Sequence, residues 1–237
     1  EDKNTKYKLS NLILELEKLS ELDRIRFTTS HPKDMSDDLL DCYKISKKLM
    51  PLVHLPVQSG SNKILKLMNR KHDVEFYFSI FEKLKKINKN VEFSSDFIIG
   101  YPEETEKDFE ETLSLIEKID FINSYSFIYS PRPGTVAAKM DTINKNILDK
   151  RLKIIQEKLL EKQIKKNKAL EGQIVEVLVE NLMKDKVKLF GRNQYMSPVI
   201  FDGDPEIIGK IVNVQINYSN KNSLFGKLIN KLDTKVA

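Results

Sequence analysis

Val91-Glu92-Phe93-Ser94-Ser95-Asp96-Phe97-Ile98-Ile99-Gly100-Tyr101-Pro102-Glu103-Glu104-Thr105 is the stretch on which the fold turns. Val91 to Ile99 predicts a strand, and Phe97, Ile98 and Ile99 close it without alternation, as in a strand covered on both faces. Thr105 with Asp108 three residues on makes a capping pattern ahead of Phe109, Leu113 and Ile116, one face of a helix. Upstream, Tyr77, Ile80, Phe81, Leu84 and Ile87 mark another helical face. The stretch is therefore a strand between two amphipathic helices.

The same couplet recurs on both sides. Leu9, Leu12, Ile13, Leu16 and Leu19 predict a helix with Ser10 as its N-cap, followed by a strand over Arg24 to Thr29. Ser36, with Asp37 and Asp38 behind it, predicts a helix start, the helix runs to about Leu49, and Leu52 to Val57 reads as the next strand. Ser124 to Tyr129 supplies a fourth strand. Four such couplets imply a parallel sheet with right-handed crossovers.

From Ile147 the pattern changes to a long charged helix with Leu148, Leu152, Ile155 and Leu159 on one side. Beyond Gly172 come five short β-type runs: Ile174–Val179, Val187–Phe190, Val199–Phe201, Ile207–Ile216 and Leu224–Ile229. They are punctuated by Gly191, Gly203, Gly209 and Gly226 and predict a small antiparallel barrel. The expected organisation is an α/β domain over 1–146, a connecting helix over 147–171 and a small all-β domain over 172–237.

Composition fits this reading. The 237 residues are 40% hydrophobic and 32% charged with 8 Gly and 8 Pro, which excludes collagen-like and low-complexity classes. No apolar run approaches the roughly 18 residues of a membrane span, so a cytoplasmic protein is expected. The lone Cys42 cannot form an internal disulfide, and His31, His54 and His72 lie far apart, so no metal site is expected. A net charge of +5 permits a polyanionic partner without requiring one.

Parallel α/β folds bind ligands where the strands end, which directs attention to four polar segments. These are Thr28-Thr29-Ser30-His31-Pro32, Pro56-Val57-Gln58-Ser59-Gly60-Ser61, Gly100 to Glu104, and Tyr129-Ser130-Pro131-Arg132-Pro133-Gly134-Thr135, expected at one rim. Gln58, Ser59 and Ser61 offer an amide and hydroxyls suited to a carboxylate, phosphate or ribose, or else form an ordinary capping turn. Gly100 lets backbone approach a flat ring over an apolar floor. His31 is an acid–base candidate or a structural strand end, and Arg132 between two prolines is an anion-binding candidate or a surface ion pair. Asp96 should face the strand-end cavity or be paired, and Cys42 should simply pack.

Arg24 to Pro32, His54 to Ser61, Ser94 to Pro102 and Tyr129 to Thr135, in this order, resemble the radical S-adenosylmethionine methylthiotransferases of the MiaB type, which act on tRNA. Val177-Leu178-Val179-Glu180, Gly191-Arg192-Asn193 and Ile208-Gly209 resemble the family's TRAM domain, a small RNA-binding barrel. The resemblance implies the later strands of a partial (β/α)6 radical SAM barrel followed by a five-stranded antiparallel TRAM barrel. It implies S-adenosylmethionine at the rim, held by Gln58, Ser59, Ser61, Asp96, Ile98, Gly100, Glu103, Ser130 and Arg132. Ile98, Gly100 and Glu103 match the family pattern G-x-I-x-G-x-x-E, with Asp96 standing where its first glycine usually does. Lys184, Lys186, Lys188, Arg192, Asn193 and Lys210 would meet RNA, and Phe190 and Tyr195 would stack on it.

The implied activity is addition of a methylthio group to C2 of N6-isopentenyladenosine beside the anticodon, with S-adenosylmethionine, two 4Fe–4S clusters and a reductant protein. Cluster chemistry in this superfamily needs a C-x-x-x-C-x-x-C loop, and one cysteine cannot supply it. A C-terminal fragment that is itself inactive is therefore expected, in keeping with the absence of an initiator Met. The alternatives are a methylthiotransferase acting on a ribosomal protein, a non-catalytic tRNA-binding protein, and an unrelated α/β enzyme.

Overall fold

The computed structural model describes residues 7–28, 31–184 and 187–229. They form two compact units that divide after Lys158. The first holds α1 (Leu9–Glu17), α2 (Asp37–Ile45), β1 (Leu52–His54), α3 (Asn62–Leu67), α4 (Val74–Ile87), β2 (Glu92–Ser94), β3 (Asp96–Ile99), α5 (Glu106–Lys118) and β4 (Tyr125–Ile128). α6 (Lys145–Ala169) begins in this unit and ends in the second.

β1 pairs with β2 and β3 with β4, both parallel. Parallel bridges Ile25–Leu49, Gln58–Phe97 and Phe93–Phe121 join these pieces into one succession of strands in chain order. The parallel sheet expected from the couplets is therefore present, and its strands are shorter than the sequence suggests. Of Arg24 to Thr29, the bridge forms at Ile25, which is buried while Arg26 and Thr28 face solvent; Thr29 and Ser30 lie outside the described residues.

The run from Val91 to Ile99 is interrupted at Ser95, and side chains take over the missing ladder bonds there. The Ser95 hydroxyl accepts the Val57 N–H at 2.9 Å, and the Ser124 hydroxyl accepts the Ser95 N–H at 2.9 Å. Beyond this break the strand alternates after all. Phe97 and Ile99 are buried, whereas Asp96 and Ile98 are half-buried on the opposite side. The uniform apolar ending masked a strand with one covered face and one partly open.

The helix ends follow local chemistry. Thr105 and Asp108 form the expected reciprocal box: the Asp108 carboxylate accepts the Thr105 N–H at 2.8 Å, and the Thr105 hydroxyl accepts the Asp108 N–H at 3.3 Å. α1 instead starts two residues earlier than the Ser10 reading. Lys8 is its N-cap, with the Asn11 side chain accepting the Lys8 N–H at 2.9 Å, and Ser10 is buried inside the helix bonded to Asp38. Cys42 packs, fully buried, in α2.

The second unit is a closed barrel of β5 (Ile174–Leu182), β6 (Lys188–Asn193), β7 (Pro198–Asp202), β8 (Ile211–Ser219) and β9 (Leu224–Leu228), in the order β5-β6-β7-β9-β8. Val177, Val179, Leu189, Val199, Phe201, Val214, Ile216 and Leu224 fill its interior. Four of its pairings are antiparallel and one, β7 with β9, is parallel. An odd number of strands cannot alternate direction all the way round a closed ring, so one like-directed pair is unavoidable. Gly191 and Gly226 face inward where strands nearly touch: a Cβ on either would sit 2.3 Å from a carbonyl oxygen across the barrel wall, of Leu178 and Gln215 respectively. Among the described residues no helix is long and apolar enough to cross a membrane.

Candidate functional site

The strand ends of the first unit open onto a cavity of about 510 Å³. Gln58 reaches it from the end of the β1 segment, Asp96 and Ile98 from β3, Tyr101 from the turn after β3, Phe127 to Ser130 and Arg132 from the end of β4, and Met68 and Arg70 from the loop after α3. Three of the four predicted segments thus meet. Among the described residues the fourth does not line the cavity; its His31 ring stands edge-on to His72 at 5.2 Å.

Gln58 is held in the left-handed region at φ +75°, with its N–H bonded to the Asp96 carbonyl at 2.9 Å and its carbonyl accepting the Ile98 N–H at 2.8 Å. That double bond to β3 fixes it at the cavity edge. Asp96 lies 3.6 Å from His54 Nε2, and His54 Nδ1 lies 2.8 Å from the Ser94 hydroxyl. Burial lowers the Arg70 guanidinium from its ordinary value against the pull of the Asp96 carboxylate. Tyr101 and Tyr129 meet edge to face at 5.0 Å and form an aromatic wall. The donor set is a carboxylate, an amide, two guanidinium groups, a hydroxyl and a paired aromatic wall.

Several predicted residues point elsewhere. Ser59 and Ser61 are buried against α5: Ser61 donates to the Asp108 carboxylate at 2.7 Å, and Ser59 meets the Thr112 hydroxyl at 3.4 Å. Gly60 is pressed onto α5, its N–H bonded to the Thr112 hydroxyl at 2.9 Å, so the turn serves helix packing. Burial alone would raise the Asp108 carboxyl, but hydrogen bonds from Thr105, Ser61 and Lys63 hold it well below the usual carboxylate range. Gly100 is covered by α6, where a Cβ would meet Leu148 Cδ2 at 2.0 Å, and it does not line the cavity. Glu103 is exposed at φ +68°, its carbonyl accepting Lys63 Nζ at 2.7 Å.

The carboxylate that organises this turn is the next one, Glu104, which sequence reasoning passed over. It accepts the Gly100 N–H at 3.1 Å and Arg151 of α6 at 2.8 Å. Arg151 also bonds Glu106 at 2.8 Å and stands 5.3 Å over the Phe109 ring. This buried knot holds the turn that carries Tyr101. His72 was likewise not singled out; burial, then the charges of His31 and Arg70, lower it to about 4, so it is neutral in the fold.

On the barrel, Lys188, Phe190 and Arg192 project outward from β6, and Lys210 is exposed. Arg192 is ion-paired with Glu180 and lies 5.1 Å over Phe190. Asn193 departs from the expectation: it is fully buried, its side-chain oxygen accepting the Tyr195 and Ser197 N–H groups at 3.0 and 2.9 Å, which makes it a turn former. Lys186 lies outside the described residues.

Comparison with known proteins points to the class. The radical SAM superfamily model matches residues 3–116 and the TRAM domain model residues 168–229. The tRNA-2-methylthio-N(6)-dimethylallyladenosine synthase of Pelagibacter ubique (strain HTCC1062) is 63% identical over 237 residues, covering 100% of this chain and 53% of its own length. The protein of that name from Rickettsia canadensis (strain McKiel) is 45% identical over 224 residues, covering 94% and 50%. Among solved structures, the radical SAM enzyme coproporphyrinogen III oxidase from Escherichia coli aligns with 86% of this chain and 51% of its own at 17% identity, with a TM-score of 0.45. Over nearly its whole length the chain is similar to radical SAM methylthiotransferases of the MiaB type, and it spans about half the length of the curated relatives it matches.

Proposed function

We propose that the chain is the part of a tRNA methylthiotransferase that binds S-adenosylmethionine and RNA, in an enzyme that adds a methylthio group to C2 of N6-isopentenyladenosine beside the anticodon. The observation that carries this reading is the strand-end cavity in a chain 63% identical to a synthase of that name. Its donor set suits S-adenosylmethionine. Asp96 and Gln58 match the ammonium or ribose hydroxyls, Arg70 and Arg132 the carboxylate, and the Tyr101–Tyr129 wall the purine. When bound, this cofactor supplies the methyl group. The chain's residues bind it, orient it and keep water from one side of it.

The 4Fe–4S clusters do not fit these residues. Cys42 is the one cysteine of the sequence; it is buried in α2 and donates to the Ser10 and Asp38 carbonyls, and burial raises its thiol. Among the described residues no group of three His, Cys, Asp or Glu stands where it could hold a metal ion. Turnover by these residues alone is therefore not proposed, and a reductant protein acts only where a cluster is held. The second unit is proposed to hold tRNA, in the cytoplasm. A second reading, a non-catalytic tRNA-binding protein, rests on the match of the second unit to the TRAM domain.

The test is a chimera in which this chain replaces the matching half of the Pelagibacter ubique relative, with the methylthio nucleoside measured by mass spectrometry of cellular tRNA. Methylthio formation that is lost on Asp96→Ala supports the enzyme reading. A chimera that is folded and cluster-loaded but makes none, while its parent does, refutes it and leaves the binding-protein reading.

A further inference from the structure

Four side chains from neighbouring barrel strands stand in one row on the outer surface. Phe190 of β6 is registered with Ile200 of β7, Ile200 with Phe225 of β9, and Phe225 with Tyr218 of β8. Their strand neighbours Leu189, Val199, Phe201 and Leu224 belong to the core, so alternation turns the row outward. Tyr218 enters the row because of an irregularity. Ile216 pairs with Gly226, and regular pairing would put Asn217 opposite Phe225. The register shift between Ile216 and Tyr218 puts a tyrosine there instead.

The result is a stacked aromatic pair: the Tyr218 and Phe225 rings lie face to face, so that only the outer face of each is left for a ligand. The rings of Tyr218 and Phe225 are parallel within 4°, their centroids 4.6 Å apart, and Tyr218 is 54% exposed. At the other end the Arg192 guanidinium covers the Phe190 ring. One step along the strands, the adjoining row carries Lys188 and Lys227 on either side of Asp202. Cations border the rings, and Asp202 is the opposing charge.

We propose that the Tyr218–Phe225 pair is a stacking platform for an unpaired base of an RNA strand, with the lysines at its margin supplying positive charge for the phosphates. The inference rests on the RNA-binding reading of the second unit and narrows it to single-stranded segments. Paired bases present their edges and keep their faces stacked on one another, whereas an unpaired base can lay its face on a ring. A base laid on the outer face of the pair extends the existing stack by about one ring.

The test uses the 237-residue chain and fluorescence anisotropy with a labelled single-stranded RNA and a blunt duplex of the same composition, at low and high salt. Tyr218→Ala is expected to weaken single-strand binding roughly 5- to 100-fold while duplex binding stays as it was. Tyr218→Phe, which keeps the ring, is expected to bind as the wild type does. Lys227→Ala should weaken both ligands and flatten the salt dependence by about one counterion. Absence of binding to either RNA overturns the RNA reading itself. RNA binding that survives Tyr218→Ala and Phe225→Ala unchanged, or that prefers the duplex, overturns the platform and leaves the RNA reading standing.

Discussion

Arg151→Met keeps most of the aliphatic stem and deletes the guanidinium from the knot behind the cavity turn. In the wild type the Arg151 and Glu104 side chains are 7% and 2% exposed, and one guanidinium serves Glu104, Glu106 and the face of Phe109. Removing one partner of a pair this buried costs about 3–5 kcal/mol, because the remaining carboxylate has no water to turn to. Burial already raises the Glu104 carboxyl from its ordinary value, opposed by the Gly100 N–H and by Arg151; without Arg151 it rises further. A carboxyl raised in the fold binds more protons folded than unfolded, so its favourable contribution is complete below its unfolded value near 4.5 and is lost as pH climbs through the folded value. The variant should therefore be weakest at neutral pH and regain part of its loss at about pH 5. Urea unfolding read by hydrogen exchange in α5 and the first turns of α6 isolates this unit from the barrel. Glu104→Gln in the Arg151→Met background should recover much of the stability, since an amide carries no charge to strand. A loss under about 1 kcal/mol, or an equal loss at both pH values, refutes the buried-pair account.

Gly100→Ala should destabilise the first unit by about 2–4 kcal/mol, since φ is +73° there and the new methyl would meet Leu148 at 2.0 Å; Leu148→Ala in the same chain should return part of the loss in a thermal melt. His72, lowered to about 4 in the fold and near 6.5 when unfolded, binds its proton first in the unfolded chain, so stability should fall as pH drops from about 6.5 towards 4. His72→Leu should flatten that part of a stability-versus-pH curve measured by urea titration, and an unchanged slope would show that another group titrates there.

Periodicity and caps made much of the fold legible. The helices from Tyr77 to Ile87 and after Thr105 follow from apolar spacing and a capping box, and the barrel strands from five short runs with glycine between them. Residues whose roles depend on direction were not legible. Glu103 and Glu104 are neighbours, and only the left-handed turn at Glu103 decides that Glu104 points inward. Its partner Arg151 lies 47 residues away on a helix whose charged pattern gives no hint of one buried cation. Ser59 and Ser61 carry the right groups for a ligand, yet their turn faces α5, and hydroxyls satisfy a buried carboxylate as readily as a ribose. Asn193 is the same case on the barrel, where an amide caps the hairpin that a surface reading would have it leave. Tyr218 lies beyond the expected strand end at Ile216, because β8 runs on to Ser219 through a register shift that the apolar run does not show.

The like-directed pair that seals the barrel is made by its final strand. A nascent chain leaving the ribosome can lay down β5 to β8 while β7 and β8 still present bare backbone edges, and it can close the ring only once Leu224 to Leu228 has emerged. Synthesis that halts shortly before that point leaves an open sheet with two adhesive borders, a ready substrate for edge-to-edge association and for quality-control proteases.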